Sequence, residues 1–127
     1  MAGGGALALG DGGPATSVQL SPVGVSLDNA GNLYIADVRS HRIRRVDLNS
    51  GIISTAAGLT RGFSGDGFPA IRAQLYYPTG VFVDESGNLY IADDGNNRIR
   101  KVPIRKVPNV SVSPAGSSIG TTRNGVQ

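Results

Sequence analysis

The chain has 127 residues, of which 39% are hydrophobic and 17% are charged, and it carries a net charge of +3. This composition provides apolar material for one small domain and excludes both a collagen-like chain and a highly charged disordered one. The absence of cysteine excludes a disulfide framework, a thiol nucleophile and a zinc site built on sulfur.

Neither a membrane-spanning segment nor a signal peptide is visible in this sequence. No apolar run approaches the roughly 20 residues that span a bilayer. The first residues, MAGGGALALGDGG, contain no basic region followed by a sustained apolar one. Residues 95–127 hold six basic side chains and no acidic one, and the Ser/Gly/Thr/Asn-rich part at 113–127 is predicted to be a disordered tail or linker.

The first predicted unit is a meander of four short strands. Val23, Val25 and Leu27 alternate with small or polar residues, which is the period of a strand. The segment NLYIAD that follows is rich in β-forming residues and predicts a second strand at 32–37. Residues 42–47 and 52–57 predict a third and a fourth strand, so we expect one antiparallel sheet.

The same pattern occurs a second time, 56 residues further along the chain. SPVGVSLDNAGNLYIADVRSHRIRRV, from Ser21, aligns with YPTGVFVDESGNLYIADDGNNRIRKV, from Tyr77. Upstream, DGGPATSVQL from Asp11 aligns with DGFPAIRAQL from Asp66 at a spacing of 55, so one residue is inserted before Pro78. The chain therefore divides into 1–20, the end of a preceding repeat; 21–75, the first repeat, with its core at 23–57 and a connecting loop at 58–75; and 76–112, the second repeat.

The fourth strand of the second repeat is the least regular part of this pattern. Pro103, Pro108 and Pro114 interrupt the segment where it should lie, and proline cannot donate to a strand ladder. Residues 104–107 or 110–112 could substitute as an edge strand, or the sheet is incomplete.

A four-stranded sheet repeated at about 40–56 residues is typical of a β-propeller blade. The motifs GNLYIAD, RIRRV or RIRKV, and GDGxPA closely resemble the NHL repeat, in the long-period form common in bacterial multi-repeat proteins. The resemblance covers roughly residues 1–102. It implies an all-β fold: two four-stranded antiparallel blades of an incomplete NHL-type β-propeller, with a flexible C-terminal tail.

The family closes its ring with about six blades of this kind, so two blades would leave apolar faces open. We expect the chain to be a fragment of a longer protein. Self-association that completes a ring and a marginally stable isolated domain remain the alternatives.

A set of polar and glycine residues recurs in both repeats, and we interpret it as scaffold. Each YIAD strand ends in an aspartate that is expected to accept hydrogen bonds from the following loop or from the arginine five residues later. The glycine of each turn between the first two strands is expected to have a positive φ. The predicted structural residues are Asp28, Gly31, Asn32, Asp37, Arg42, Asp84, Gly87, Asn88, Asp93 and Arg98.

The sequence predicts no catalytic residue, metal site or cofactor. The DNAGN and DESGN turns lack the ligand spacing of a calcium loop, and GFSGDG lacks the Lys-Ser/Thr and the helix of a phosphate loop. His41 is the single histidine, and no G-x-S-x-G occurs.

The resemblance implies a non-enzymatic scaffold that binds a protein, peptide or glycan through loops at the strand ends. The candidate binding residues are Arg39, Ser40, His41, Arg61, Phe63, Asp94, Asn96 and Asn97. The family resemblance also favours an extracytoplasmic or secreted parent protein.

Two alternative functions stay open. The first is RNA or polyanion binding through an arginine stripe, although nearby aspartates disfavour a nucleic-acid partner; its residues are Arg42, Arg44, Arg45, Arg98, Arg100 and Lys101. The second is a propeller lyase or lactonase whose catalytic blades are missing.

Overall fold

The computed structural model describes residues 11–64, 70–103 and 120–122. They form two four-stranded antiparallel sheets, each in simple up-and-down order. The first sheet contains β1 (Pro22–Leu27), β2 (Asn32–Asp37), β3 (Arg42–Asp47) and β4 (Ile52–Ala57). The second contains β5 (Pro78–Val83), β6 (Asn88–Asp93), β7 (Arg98–Pro103) and β8 (Gly120–Thr122).

Helical structure in the described ranges is limited to single 3-10 turns, at Ala15–Ser17, Val38–Ser40, Ala70–Arg72 and Asp94–Asn96. None of them is long and apolar enough to cross a membrane. The prediction of an all-β chain with two four-stranded antiparallel blades is therefore confirmed.

The fourth strand of the second sheet lies later in the chain than the sequence predicts. Gly120–Thr122 pairs with β7, with Thr122 opposite Ile99, and these residues fall in the stretch that was predicted to be a disordered tail or linker. The tail at 113–127 otherwise stays a prediction. Threonine is β-branched and no proline is adjacent, so this short segment can join a ladder. The earlier candidates at 104–107 and 110–112 lie outside the described residues.

The turn between the first two strands of each sheet is held by an aspartate. Asp28 Oδ1 accepts hydrogen bonds from the backbone N–H groups of Ala30 and Asn32, each at 2.9 Å. Asp84 makes the corresponding bonds in the second sheet. Gly31 and Gly87 have the same positive φ of 86°, a region that side chains with a Cβ rarely adopt.

Replacing Gly87 by valine is expected to destabilise the protein by about 2–3 kcal/mol, because a β-branched residue is strained at this φ. Gly87→Asn is the matched control and should cost less than about 1 kcal/mol, since asparagine tolerates the left-handed region. Urea unfolding of both variants measures the difference. Equal stability of wild type and Gly87→Val would show that the turn does not need a positive φ.

The two sheets pack face to face through one buried cluster. Tyr34, Ala36 and Ile43 of the first sheet belong to the same buried cluster as Leu89 and Ile91 of the second. The other face of β2 points away from the second sheet, and Leu33 and Ile35 there join a smaller cluster with residues that include Ala15 and Val18. The sheets thus behave as neighbouring blades, since each buries one apolar face against the next.

Two glycines allow the inner strands of the sheets to approach closely. A Cβ on Gly24 would lie 3.3 Å from the Cα of Gly80, and Ser26 Oγ accepts a hydrogen bond from the Val83 N–H at 3.1 Å. This contact between β1 and β5 fixes the relative positions of the loops at the strand ends.

The flanks of the pair that face away from the shared core remain partly open. On the first sheet, Val23, Val25 and Leu27 are each more than half exposed. On the second, Phe82 is 61% exposed at the position where the first sheet has Ser26, the residue that meets β5. The flank that is open on one sheet therefore corresponds to the flank that is covered on the other sheet.

Candidate binding surface

Both sheets end in the same way at one rim of the molecule. β2 and β6 each finish at an aspartate, a single 3-10 turn follows, and one left-handed residue leads into β3 or β7. That residue is His41 in the first sheet, with φ 56°, and Asn97 in the second, with φ 54°. We call the surface formed by residues 38–42, 59–63, 76–77 and 94–98 the loop rim.

The aspartates that end β2 and β6 are buried, and their carboxylates accept hydrogen bonds from neighbouring loops. Asp37 accepts hydrogen bonds from the Ser21 N–H and the Ser40 hydroxyl, both at 2.8 Å. Asp93 accepts them from the Tyr76 N–H at 2.7 Å and from Asn96 Nδ2 at 2.8 Å. These bonds attach each 3-10 turn and the preceding chain to the end of the strand, which is a positioning role.

The arginine beside each aspartate is not the one that the sequence spacing indicated. Arg42 lies directly opposite Asp37 in the register, but its guanidinium donates to the Leu59 carbonyl. Arg44, two residues further along the same face, places Nη1 3.7 Å from Asp37 Oδ2 and Nη2 2.5 Å from Asp11 Oδ1. Arg44, the diagonal neighbour of Asp37 in the ladder, therefore supplies the positive charge that faces the carboxylate.

The second sheet repeats this arrangement with better geometry. Arg100 Nη1 lies 2.9 Å from Asp93 Oδ2, and both side chains are completely buried. The same guanidinium donates to the carbonyls of Gln74 and Ser64, each at 3.0 Å. Arg98, the predicted partner, instead lies over the Phe63 ring, 4.1 Å from its centroid.

This arrangement corrects the idea of a continuous arginine stripe. Arg44 and Arg100 have no exposed surface, so they cannot contact RNA or another polyanion. Their guanidinium groups neutralise the buried aspartates of the blades instead. Arg45, on the same strand as Arg44, is exposed but lies towards the opposite rim, beside Tyr34.

An aromatic cluster joins the two blades at the loop rim. His41 Nδ1 accepts a hydrogen bond from the Tyr77 N–H at 3.0 Å. The imidazole stacks on Tyr76 with ring centroids 5.7 Å apart, and it meets Tyr77 edge-on at 4.6 Å. Tyr77 remains 42% exposed, as does Phe63.

Tyr77 is the residue inserted between the two repeats. Tyr76 donates its N–H to Asp93 as Ser21 does to Asp37, so Tyr76 and Ser21 are structurally equivalent. The extra residue adopts φ 51°, which is uncommon for a residue with a side chain. The insertion is visible in the sequence, but neither tyrosine was predicted to lie at the rim; the insertion itself was the available signal.

The exposed charge of the loop rim is mainly positive. Asp94 is its one exposed acid among the described residues, whereas four arginines reach this surface: Arg39, Arg42, Arg61 and Arg98. Two of the aspartates near these arginines, Asp37 and Asp93, are buried beside Arg44 and Arg100 deeper in the blades. The rim therefore presents cations and aromatic rings together.

The eight candidate binding residues all lie at the loop rim, but they differ in what their side chains contact. Ser40 and Asn96 are directed at the buried aspartates and serve the scaffold. Asn96 also donates to the Gly62 carbonyl at 2.8 Å, which ties the connecting loop to the second blade. The side chains left facing outwards are those of Arg39, Arg61, Phe63, Asp94 and Asn97.

The protein is expected to lose stability as the pH falls below about 6.5, because of His41. Burial lowers the pKa of this imidazole from its ordinary value of 6.5, the positive charge of Arg61 lowers it further, and Asp93 partly opposes both. The folded state therefore binds fewer protons than the unfolded state in this window, so stability falls with pH. Protonation of Nδ1 would also remove the acceptor for the Tyr77 N–H.

The control for this pH effect is His41→Asn, because asparagine occupies the equivalent left-handed position at residue 97. The free energy of unfolding should drop more steeply between about pH 7.5 and pH 5.5 in the wild type than in the variant. Parallel pH profiles would contradict the assignment. The carboxyls of Asp28 and Asp84 titrate below this window, since their pKa values are lowered.

The opposite rim contains an open cleft of about 500 Å³ between the two hairpin turns. Two of the acidic residues that line it, Asp28 and Asp84, already hold their own turns, whereas the third, Glu85, is exposed. Burial acts to raise the pKa of Asp28, but hydrogen bonds from Asn32, Ala30 and Tyr34 outweigh it and lower the pKa. Among the described residues, no group of three His, Cys, Asp or Glu side chains is placed to hold a metal ion.

The repeated sheets and their shared core define a pair of β-propeller blades. The family model of the NHL repeat matches residues 20–46 and 75–102, which span β1–β3 and β5–β7. The chain belongs to the NHL repeat family.

Similar proteins occur among both plants and animals. The chain is 34% identical over 85 residues to protein SUPPRESSOR OF QUENCHING 1, chloroplastic, of Arabidopsis thaliana, covering 67% of this chain and 8% of that one. It is 37% identical over 93 residues to human Teneurin-4, covering 63% and 3%. It is 33% identical over 95 residues to NHL repeat-containing protein 2 of Bos taurus, covering 73% and 13%.

A solved structure shares the fold. A structural genomics protein of unknown function from Bacteroides thetaiotaomicron superimposes with a TM-score of 0.67 at 28% identity, over 75% of this chain and 24% of that one. The chain thus spans a small part of the proteins that it matches. NHL repeats generally mediate protein interactions, and the proteins that contain them are mostly non-enzymatic scaffolds.

Proposed function

We propose that this chain is a protein-binding segment of a propeller and that it contacts its partner through the loop rim. The observation that carries the proposal is the rim itself, where exposed arginines and aromatic rings from both blades lie on loops held by buried ion pairs. Rigid loops of this kind lose little conformational entropy on binding.

The test is a selection from a random peptide library displayed on phage, followed by NMR titration of the ¹⁵N-labelled chain with the enriched peptides. Shifts concentrated at residues 38–42, 59–63, 76–77 and 94–98 would support the proposal. Shifts at the opposite turns, at 28–31 and 84–87, would contradict it. Failure to enrich any peptide would also contradict it.

We further infer that the chain works as part of a larger propeller. Support comes from the exposed Val25, Leu27 and Phe82 on the open flanks and from the greater length of the relatives. Sedimentation of the isolated chain should show a monomer that binds a hydrophobic dye at these flanks. A stable trimer that excludes the dye would instead mean that copies of this chain complete a ring.

A further inference from the structure

The structure favours one chemical class of partner at the loop rim, and Tyr77 is the first reason. This inserted residue holds an unfavourable backbone conformation, φ 51°, while its ring stays 42% exposed. Backbone strain of this kind costs free energy, and it is concentrated at functional positions. A glycine at this position would avoid the strain. We therefore infer that the exposed tyrosine ring has a role that offsets this cost in free energy.

The second reason is the separation of charge between the interior and the surface of the blades. Arg44 and Arg100 are completely buried beside Asp37 and Asp93, so the carboxylates that end β2 and β6 do not add negative charge to the surface. The arginines that remain exposed therefore face solvent with Asp94 as the one exposed acid of the described rim. A surface of this sign attracts a negatively charged partner.

The third reason is that the aromatic rings of the rim already have partners within the chain, which disfavours stacked bases. The Phe63 ring has the guanidinium of Arg98 4.1 Å from its centroid and that of Arg100 at 4.8 Å. The Tyr77 ring is packed by His41 at 4.6 Å and by Tyr76 at 4.8 Å. Single-stranded nucleic acid needs free aromatic faces for its bases, whereas a peptide needs only exposed edges and cations.

We propose that the loop rim binds an acidic peptide segment, with carboxylates on Arg39, Arg61 and Arg98 and an apolar side chain against the exposed part of the Tyr77 ring. This inference rests on the protein-binding function proposed above and names the class of its partner. Arg98 is held over Phe63 and Arg42 on the Leu59 carbonyl, so part of the surface is arranged before the ligand arrives.

The test is fluorescence anisotropy with a labelled glutamate-rich dodecapeptide that carries a central leucine pair, and with the same peptide in which glutamine replaces every glutamate. The glutamate peptide should bind at least about tenfold more tightly, and its affinity should fall as salt is added. Equal affinity of the two peptides would overturn the inference. Tighter binding of an oligouridylate, used as competitor, would overturn it as well.

Matched variants locate the contact. Arg39→Gln/Arg61→Gln should weaken binding of the glutamate peptide about tenfold, whereas Arg45→Gln, an exposed arginine at the opposite rim, should leave it within about twofold. Tyr77→Gly should weaken binding while the melting temperature stays close to that of the wild type, because relief of the positive φ offsets the lost ring contacts with His41 and Tyr76. A purely structural tyrosine would lower the melting temperature instead. Full binding by the double variant would overturn the assignment of the surface.

The inference and the function on which it rests can fail separately. Library peptides that bind at the loop rim but contain no acidic residue would overturn the acidic class and leave the protein-binding function standing. The absence of any rim-binding peptide would overturn both.

Discussion

Replacing Gly58 by alanine is expected to destabilise the protein by about 4 kcal/mol or more, which is a large part of the stability of a small domain. Gly58 follows β4 with φ 99°, and its N–H donates to the Ala70 carbonyl at 3.0 Å. A Cβ there would lie 2.5 Å from the His41 carbonyl oxygen and 2.9 Å from the Arg42 Cα. Both neighbours are backbone atoms, so the start of β3 would have to move.

Gly51→Ala is the control that separates backbone strain from collision. Gly51 also has a positive φ, 74°, but a Cβ there meets nothing within 4 Å. It should therefore cost only about 1–2 kcal/mol. Urea denaturation of both variants measures the difference, and equal losses would mean that the contact with β3 is looser than described.

Replacing Arg100 by methionine is expected to cost about 3–5 kcal/mol, because it leaves the buried Asp93 carboxylate without its cation. The same change removes donors from the Gln74 and Ser64 carbonyls, which anchor the connecting loop to the second blade. We therefore expect that loop to lose protection against hydrogen exchange before the strands do.

The adjacent Lys101→Met is the control, since this side chain lies on the same strand and is not fully buried. It should change the free energy of unfolding by less than about 1 kcal/mol. The double variant Arg100→Met/Asp93→Asn should regain part of the loss, because it removes the uncompensated charge. An Arg100→Met protein as stable as wild type would contradict a structural role for the pair.

The strands and their order were predictable because the repeat is local and explicit. Alternation at Val23, Val25 and Leu27 and the run NLYIAD each indicate a strand within a few residues. The second copy then gave independent support for the boundaries of the first three strands. The interlocking of the two sheets followed from the same repetition, since one apolar face per blade must meet a neighbour.

The features that were missed depend on contacts between distant parts of the chain. Spacing alone favoured Arg42 and Arg98 as partners of the aspartates, but side chains on one face of a ladder also meet diagonally, which brings in Arg44 and Arg100. The position of β8 depends on which late segment can supply backbone hydrogen bonds to β7. Neither choice is encoded in local propensity.

The candidate site was partly predictable for the same reason. The loops after β2 and β6 were recognisable from their place between strands, and they do lie at one rim. The aromatic cluster was not, because it pairs His41 of one repeat with the inserted Tyr77 of the next. The packing of the first sheet on the second brings these two residues together.

The central claim is that the two repeats pack as one body. A nuclear Overhauser spectrum of the labelled chain tests this most directly. The account predicts cross-peaks between the Gly24 and Gly80 α-protons, and between the His41 ring and the Tyr77 amide. Strong cross-peaks within each hairpin with none between the repeats would contradict it.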